Sequence, residues 1–251
     1  MSKLVILGSS NAIPSENHEN THMALLGEDR FVLIDCVSNP MLRLKKAGLA
    51  YNDMTDLILT HFHPDHISGV PLLLQNMWQL GRTRPLNIYG LHHTLDRIRD
   101  LMGFFEWSTW PSFFPVAFHR LPDQDRTEVL KNNEFTILAS PVRHFVPTIG
   151  LRIEFSESGK ILAYSCDTEP CPEVIDLARG ADVLIHEAHG AQVGHSSASQ
   201  AAGIAREAQA KRLYLIHYPT WEVDPEPLVA EAAQVFSGEV ALAKDFMELN
   251  F

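Results

Sequence analysis

The stretch Asp56-Leu-Ile-Leu-Thr-His61-Phe-His63-Pro-Asp65-His66-Ile-Ser-Gly69 decides the reading of this chain. An apolar run ends in His61, and four metal-ligand side chains then stand within six residues: His61, His63, Asp65 and His66. Side chains alternate along extended backbone, so His61 and His63 share one side. A turn at Pro64-Asp65 would swing Asp65 and His66 toward a neighbouring position. That pattern suits two metal ions rather than one.

Three further segments repeat the same grammar, an apolar strand that delivers a ligand-type side chain at its C-terminal end. FTILASPVRH leads to His144, ILAYSCD to Asp167 and LYLIH to His217. Four strand ends are then available to converge on one sheet edge. Imidazoles and carboxylates suit zinc and its first-row neighbours, so two zinc ions are expected, with manganese and iron as alternatives accepted by the same ligands.

Outward from these ligands the chain alternates strands and helices. Strands are expected at 3–7, 23–26, 31–35, 57–59, 86–89, 135–138, 151–155, 161–164, 183–185, 213–216 and 240–243. Helices are expected from Pro40 to Gly48, then around 70–80, 94–102, 172–178, 199–210 and 227–236. This interleaving predicts a layered α/β domain with two β sheets between helices. With no long polar linker, residues 1–251 are expected to form one domain. Gly103 to Phe118 breaks the pattern with seven Phe and Trp residues and two prolines. It reads either as a buried connection or as an aromatic wall beside the site.

Composition narrows the function. The chain has 251 residues, 45% hydrophobic and 20% charged, as expected of a protein with a sizeable core. The start, MSKLVILGSS, has no basic n-region or long apolar h-region, and no apolar run approaches a membrane span, so a cytoplasmic protein without a membrane partner is expected. Cys36, Cys166 and Cys171 are too few for a disulfide framework and are read as reduced. A net charge of −11 disfavours nonspecific nucleic-acid binding, which depends on Lys and Arg displacing counterions.

His61-Phe-His63-Pro-Asp65-His66 resembles the HxHxDH signature of the metallo-β-lactamase superfamily, whose fold is an αββα sandwich. The likeness runs from LVILGSSNAIP to His217 and points to the ribonuclease Z-like branch through RHFVPTIGLRI, YSCDTEPC, LIHEAHG and GHSSASQAAGIAREAQAKRLYLIHY. The resemblance implies that His61, His63 and His144 hold one ion, that Asp65, His66 and His217 hold the second, and that Asp167 bridges them. It also implies that His195 reaches the scissile phosphate while Glu187 orients it, and that the protein is a homodimer. A metal-bridging hydroxide would be the nucleophile, with Asp65 helping to orient it. Ser197-Ala-Ser-Gln200 fits a capping box that opens the following helix near His195.

Two features depart from that branch. Where its members carry a basic loop after the first strand, this chain reads Pro14-Ser-Glu-Asn-His-Glu19, and only Ser156 to Lys160 separate the strands between which a long substrate arm would emerge. Both weigh against a transfer-RNA substrate. The leading expectation is a hydrolase of small phosphodiesters or short nucleic acids. The alternatives are a transfer-RNA 3′ endonuclease, a lactone or thioester hydrolase, and a non-catalytic metal-binding protein. Among the other histidines, His18 and His22 are placed in the loop after the first strand, His92, His93 and His119 are read as surface or structural, and of His186 and His189, which flank Glu187, His189 is within reach of the site but is assigned no role.

Overall fold

The computed structural model describes residues 2–251. Its first sheet begins with an antiparallel meander, β1 (Lys3–Gly8), β2 (His22–Leu26) and β3 (Phe31–Ile34). It continues in parallel through β4 (Asp56–Ile58), β5 (Leu86–Leu91) and β6 (Val116–Leu121). The second sheet carries β7 (Thr127–Lys131), β8 (Phe135–Val142), β9 (Thr148–Phe155), β10 (Ile161–Tyr164), β11 (Val183–Glu187), β12 (Arg212–Ile216) and β13 (Glu239–Leu242). The last strand, β14 (Glu248–Asn250), returns to pair with β1, which gives two seven-stranded sheets ordered β14-β1-β2-β3-β4-β5-β6 and β13-β12-β11-β10-β9-β8-β7.

The period of two sorts the side chains. In the first sheet Leu4, Ile6, Met23, Leu25, Val32, Ile34 and Ile58 point inward, against Ile137, Leu151, Ile153, Leu162, Tyr164, Ile185 and Ile216 of the second. The alternate residues Val5, Leu7, Ala24, Leu33, Leu57 and Leu59 pack outward under helices α1 (Pro40–Lys46), α3 (Val70–Gln79) and α4 (His92–Phe104). On the opposite face Leu184, Leu213 and Leu215 lie under α5 (Pro172–Ala178), α6 (Ala198–Glu207) and α7 (Pro227–Ala233). This is the αββα sandwich of the metallo-β-lactamase fold.

The structure corrects several expectations. His22 lies in β2 rather than in a loop, and it is buried with Nδ1–H donating to Asn20 O at 2.8 Å. Strands β6, β7 and β14 had no counterpart in the reading. Each is a short strand at or next to a sheet edge with several exposed positions, so its hydrophobic pattern is weak. Pro64-Asp65 opens not a plain turn but a one-turn helix, α2 (Pro64–Ile67), with proline at its start, where a missing N–H costs nothing. Within Gly103 to Phe118, Trp107, Trp110, Phe113 and Phe118 pack against the outer core of the first sheet. Trp110 stacks on Trp78 at 4.9 Å, while Phe104 and Phe105 are exposed. Between β9 and β10, the turn closes with Phe155 N donating to Lys160 O and Gly159 N to Phe155 O, both at 3.0 Å, and no arm emerges.

Candidate metal centre

The side chains singled out by the sequence meet at one edge of the sandwich, beyond the C-terminal ends of β4, β8, β10, β11 and β12. The backbone takes a costly form to bring them there. Asp35, Cys166 and His217 have φ of 60°, 54° and 54°, a region that non-glycine residues rarely adopt. Each sits just past the end of β3, β10 or β12 and turns the chain so that a polar side chain enters the space between the sheets' edges.

His61, His63 and His144 form one group. His61 Nε2 and His144 Nε2 each lie 3.1 Å from His63 Nδ1. Their tautomers follow from the opposite nitrogens. His144 Nδ1–H donates to Gly194 O at 2.7 Å, which leaves Nε2 a bare lone pair. Thr60 Oγ1 donates its proton to the Asp35 carboxylate, at 2.8 Å from Oδ2, so at 3.2 Å it accepts from His61 Nδ1–H, and His61 Nε2 is also bare. Lone pairs therefore converge where only a cation or a proton relieves them.

Asp65, His66, Asp167 and His217 form the second group. His66 Nδ1–H donates to Asp35 Oδ2 at 2.8 Å, and Thr21 Oγ1, which donates to Ser10 O, accepts from His217 Nδ1–H at 3.3 Å. Both Nε2 atoms face inward, and each offers a lone pair when its ring is neutral. Asp167 Oδ2 lies 3.2 Å from His217 Nε2, 3.5 Å from His66 Nε2 and 4.0 Å from His61 Nε2, so it stands between the groups. Asp65 Oδ2 lies 3.6 Å from His66 Nε2 and 3.9 Å from His217 Nε2.

The donor set fits divalent cations. His66 Nε2 and Asp167 Oδ1 are buried without any hydrogen-bond partner, and such orphans are rare unless something else binds them. Burial holds His61 well below the usual imidazole range and His217 down to about 4, so both keep an unprotonated nitrogen at neutral pH. His66 goes the other way. Burial would lower it, but the charges of Asp167 and Asp35 outweigh that and favour a positive charge at this spot. His61, His66, His144 and His217 are each oriented by an oxygen on the far side of the ring, the outer-shell arrangement that fixes metal-binding histidines.

Residues 30–218 match the family described as the Beta-lactamase superfamily domain. The chain belongs to the metallo-β-lactamase superfamily. Within it, the chain is 30% identical to ribonuclease Z of Methanothermobacter thermautotrophicus, over 94% of this chain and 92% of that protein, and 26% identical to ribonuclease Z of Thermobifida fusca, over 98% and 94%. Among solved structures it resembles the metallo-β-lactamase fold protein YhfI from Bacillus subtilis, with 28% identity, a TM-score of 0.80 and coverage of 99% and 98% of the two chains. The short form of human tRNase Z superposes with 25% identity, a TM-score of 0.79 and the same coverage. The chain is a metal-dependent hydrolase of the ribonuclease Z-like branch.

Beside the superfamily's metal-type ligands stands the pair Glu187 and His195. His195 Nδ1–H donates to Glu187 Oε1 at 3.0 Å, and the same carboxylate accepts from the backbone amides of Thr168 at 3.1 Å, Ser196 at 3.0 Å and His189 at 2.9 Å. Burial pushes the Glu187 carboxyl up, to about 7, against the pull of His195. Burial would lower His195 in turn, but its bond to Glu187 and the nearby carboxylates raise it, which favours an imidazolium with Nε2–H free to donate. The capping box is formed, with Ser197 Oγ accepting from Gln200 N at 3.2 Å and Gln200 Oε1 accepting from Ser197 N at 2.8 Å.

Sequence reasoning missed several participants. Asp35, which no spacing rule flags, accepts from His66 and from both N and Oγ1 of Thr60. His189 stacks on His195 at 4.2 Å and 17° and meets Asn11 Nδ2 through Nδ1 at 3.3 Å. Phe145 leans on His144 at 5.0 Å. All three cysteines are free and buried. Cys166 Sγ lies 3.6 Å from His61 Nδ1, and burial pushes its thiol well up, so it stays protonated. His18 meets Ser9 Oγ and the Tyr218 ring, while His92 and His119 pair with Asp96 and Asn87 away from the centre.

Proposed function

We propose that this hydrolase is a dinuclear phosphodiesterase with a ribonuclease Z-like centre, acting on a small phosphodiester or a short nucleic acid. The observation that carries this is the coexistence of two ligand groups with a carboxylate-oriented imidazole, His195, beside them. In this reading His61, His63 and His144 hold one divalent ion, Asp65, His66 and His217 the other, and Asp167 both, with zinc as the metal. When bound, the ions supply an activated water at neutral pH and Lewis acidity toward a phosphoryl oxygen.

The chain's own residues do the rest. Attack by water forms a new P–O bond and breaks the bond to the leaving oxygen, and His195 Nε2–H gives that oxygen its proton. Glu187 holds His195 by one bond, and three backbone amides hold Glu187, so the acid is aimed before substrate arrives. Asp65 orients the attacking water. Lactone or thioester hydrolysis has no evident need for this Glu187–His195 pair. We take the enzyme to be a cytoplasmic homodimer. Among the described residues no helix is long and apolar enough to cross a membrane.

The identity with ribonuclease Z proteins favours a second reading, a transfer-RNA 3′ endonuclease. The acidic Glu16 and Glu19, the short Ser156–Lys160 turn and the net charge of −11 weigh against it. The test is hydrolysis of bis(p-nitrophenyl) phosphate beside cleavage of a precursor transfer RNA, with zinc-loaded wild type and His195→Ala. Diester cleavage that depends on His195, with the RNA intact, is the expected result. Specific RNA cleavage would promote the second reading, and inactivity on both would overturn the first.

A further inference from the structure

Most large apolar side chains in this molecule are buried, yet Phe145 is 59% exposed beside the proposed catalytic groups. Its ring centroid lies 5.0 Å from that of His144, 6.0 Å from His195 and 6.4 Å from His63, inclined to them by 61°, 69° and 49°. The ring is also held in place. A Cβ added at Gly194 would come within 2.7 Å of it, so the ring rests against bare backbone that only glycine, here at φ 79°, offers. The bond from His144 Nδ1–H to Gly194 O ties the two loops together. The residue before Gly194, Val193, is also exposed, at 72%.

A hydrophobic ring fixed in water beside a cluster of histidines and carboxylates does nothing for the binding of ions or phosphate, which need polar partners. It also costs the protein solvent-exposed apolar area. What it offers is an apolar ring 5.0 to 6.4 Å from the imidazoles of His144, His195 and His63, around which the phosphodiesterase reading places the phosphate. We propose that Phe145 is a specificity residue, a stacking platform that selects phosphoesters carrying a nucleobase over those carrying a plain sugar or alkyl group. This rests on the phosphodiesterase reading for the position of the phosphate. Stacking suits a chain of net charge −11, because base–aromatic contact adds affinity without depending on positive charge.

Binding measurements separate this idea from the catalytic one. Isothermal titration of the zinc-loaded protein with adenosine 5′-monophosphate and with ribose 5-phosphate compares a nucleobase with its absence at constant phosphate. Wild type is expected to prefer the nucleotide by about tenfold or more, the scale of one base–aromatic stack. Phe145→Ala should remove most of that preference while leaving ribose 5-phosphate binding unchanged, and Phe145→Trp should restore it. Because the side chain is exposed, both variants are expected to fold, which circular dichroism checks. Equal affinities in wild type, no binding of either ligand, or a preference that survives Phe145→Ala would overturn the proposal. So would a Phe145→Ala variant that dissociates a dimer but keeps the preference, since the ring would then belong to a subunit contact. If the preference follows Phe145 while no diester is hydrolysed, the base platform stands and the phosphodiesterase reading falls.

Discussion

The two sheets supply the centre in opposite ways. The first sheet delivers His61, His63, Asp65 and His66 from a single loop and one helical turn, while the second delivers His144, Asp167, Glu187 and His217 from the ends of four strands and His195 from the loop after β11, spread over more than 70 residues. The local set is fixed by backbone geometry over a few residues. The distributed set exists only when β8, β10, β11 and β12 are in register, as they are through Leu162↔Val183 and Glu187↔Ile216. A compact loop can bring ligands together cheaply, whereas a distributed half makes the site dependent on the whole fold. Asp167 is where the halves meet, and Asp35, from the end of β3, is the brace of the local half.

The sharpest way to break this arrangement is at its junction. Asp167→Ala is expected to abolish diester hydrolysis in a spectrophotometric assay, because it strips a carboxylate from between both groups. Should the variant keep near-wild-type turnover, the halves would not share a centre. His195→Ala removes an acid and no ligand, so kcat should fall by roughly 10²- to 10⁴-fold with metal content intact. Loss of metal in that variant would show His195 to be a ligand instead, a role that its place in a group with His144 and Asp167 leaves open to test. Asp35→Asn keeps the shape but weakens the brace on His66. Its zinc affinity should drop by about 10- to 100-fold in competition with a chelator, and an unchanged affinity would show that the Asp35 charge does not brace His66.

Each sheet also buries one neutral histidine, His22 in β2 and His186 in β11, both held down to about 4 by burial. The folded state leaves them neutral where the unfolded chain would protonate them. Their contribution is thus complete above the ordinary imidazole pKa near 6.5 and is lost as pH falls from there toward 4. Thermal melts at intervals between pH 7 and pH 4.5 should show a falling Tm, with a shallower slope in His186→Asn. An identical slope in that variant would place the acid sensitivity elsewhere.

This contrast also explains what could be read in advance. The His61–His66 loop is legible because its chemistry is local, and His144, Asp167 and His217 are legible because each ends an apolar run. Glu187 and His195 stand eight residues apart with no periodic signature, and resemblance rather than pattern pointed to them. Asp35, Thr21, Gly194 and Phe145 were not legible at all. Their roles depend on which strand ends become neighbours, as when Gly194 O accepts from His144 fifty positions away in the chain. The same holds for β6, β7 and β14, whose half-exposed residues carry little hydrophobic signal until the neighbouring strands are in place.

The most direct test of the two-half centre is metal stoichiometry, measured by inductively coupled plasma mass spectrometry on the zinc-loaded wild type after removal of free ion. Two ions per chain are predicted, one for each ligand group. A chain that retains only one ion, or none, would contradict the account.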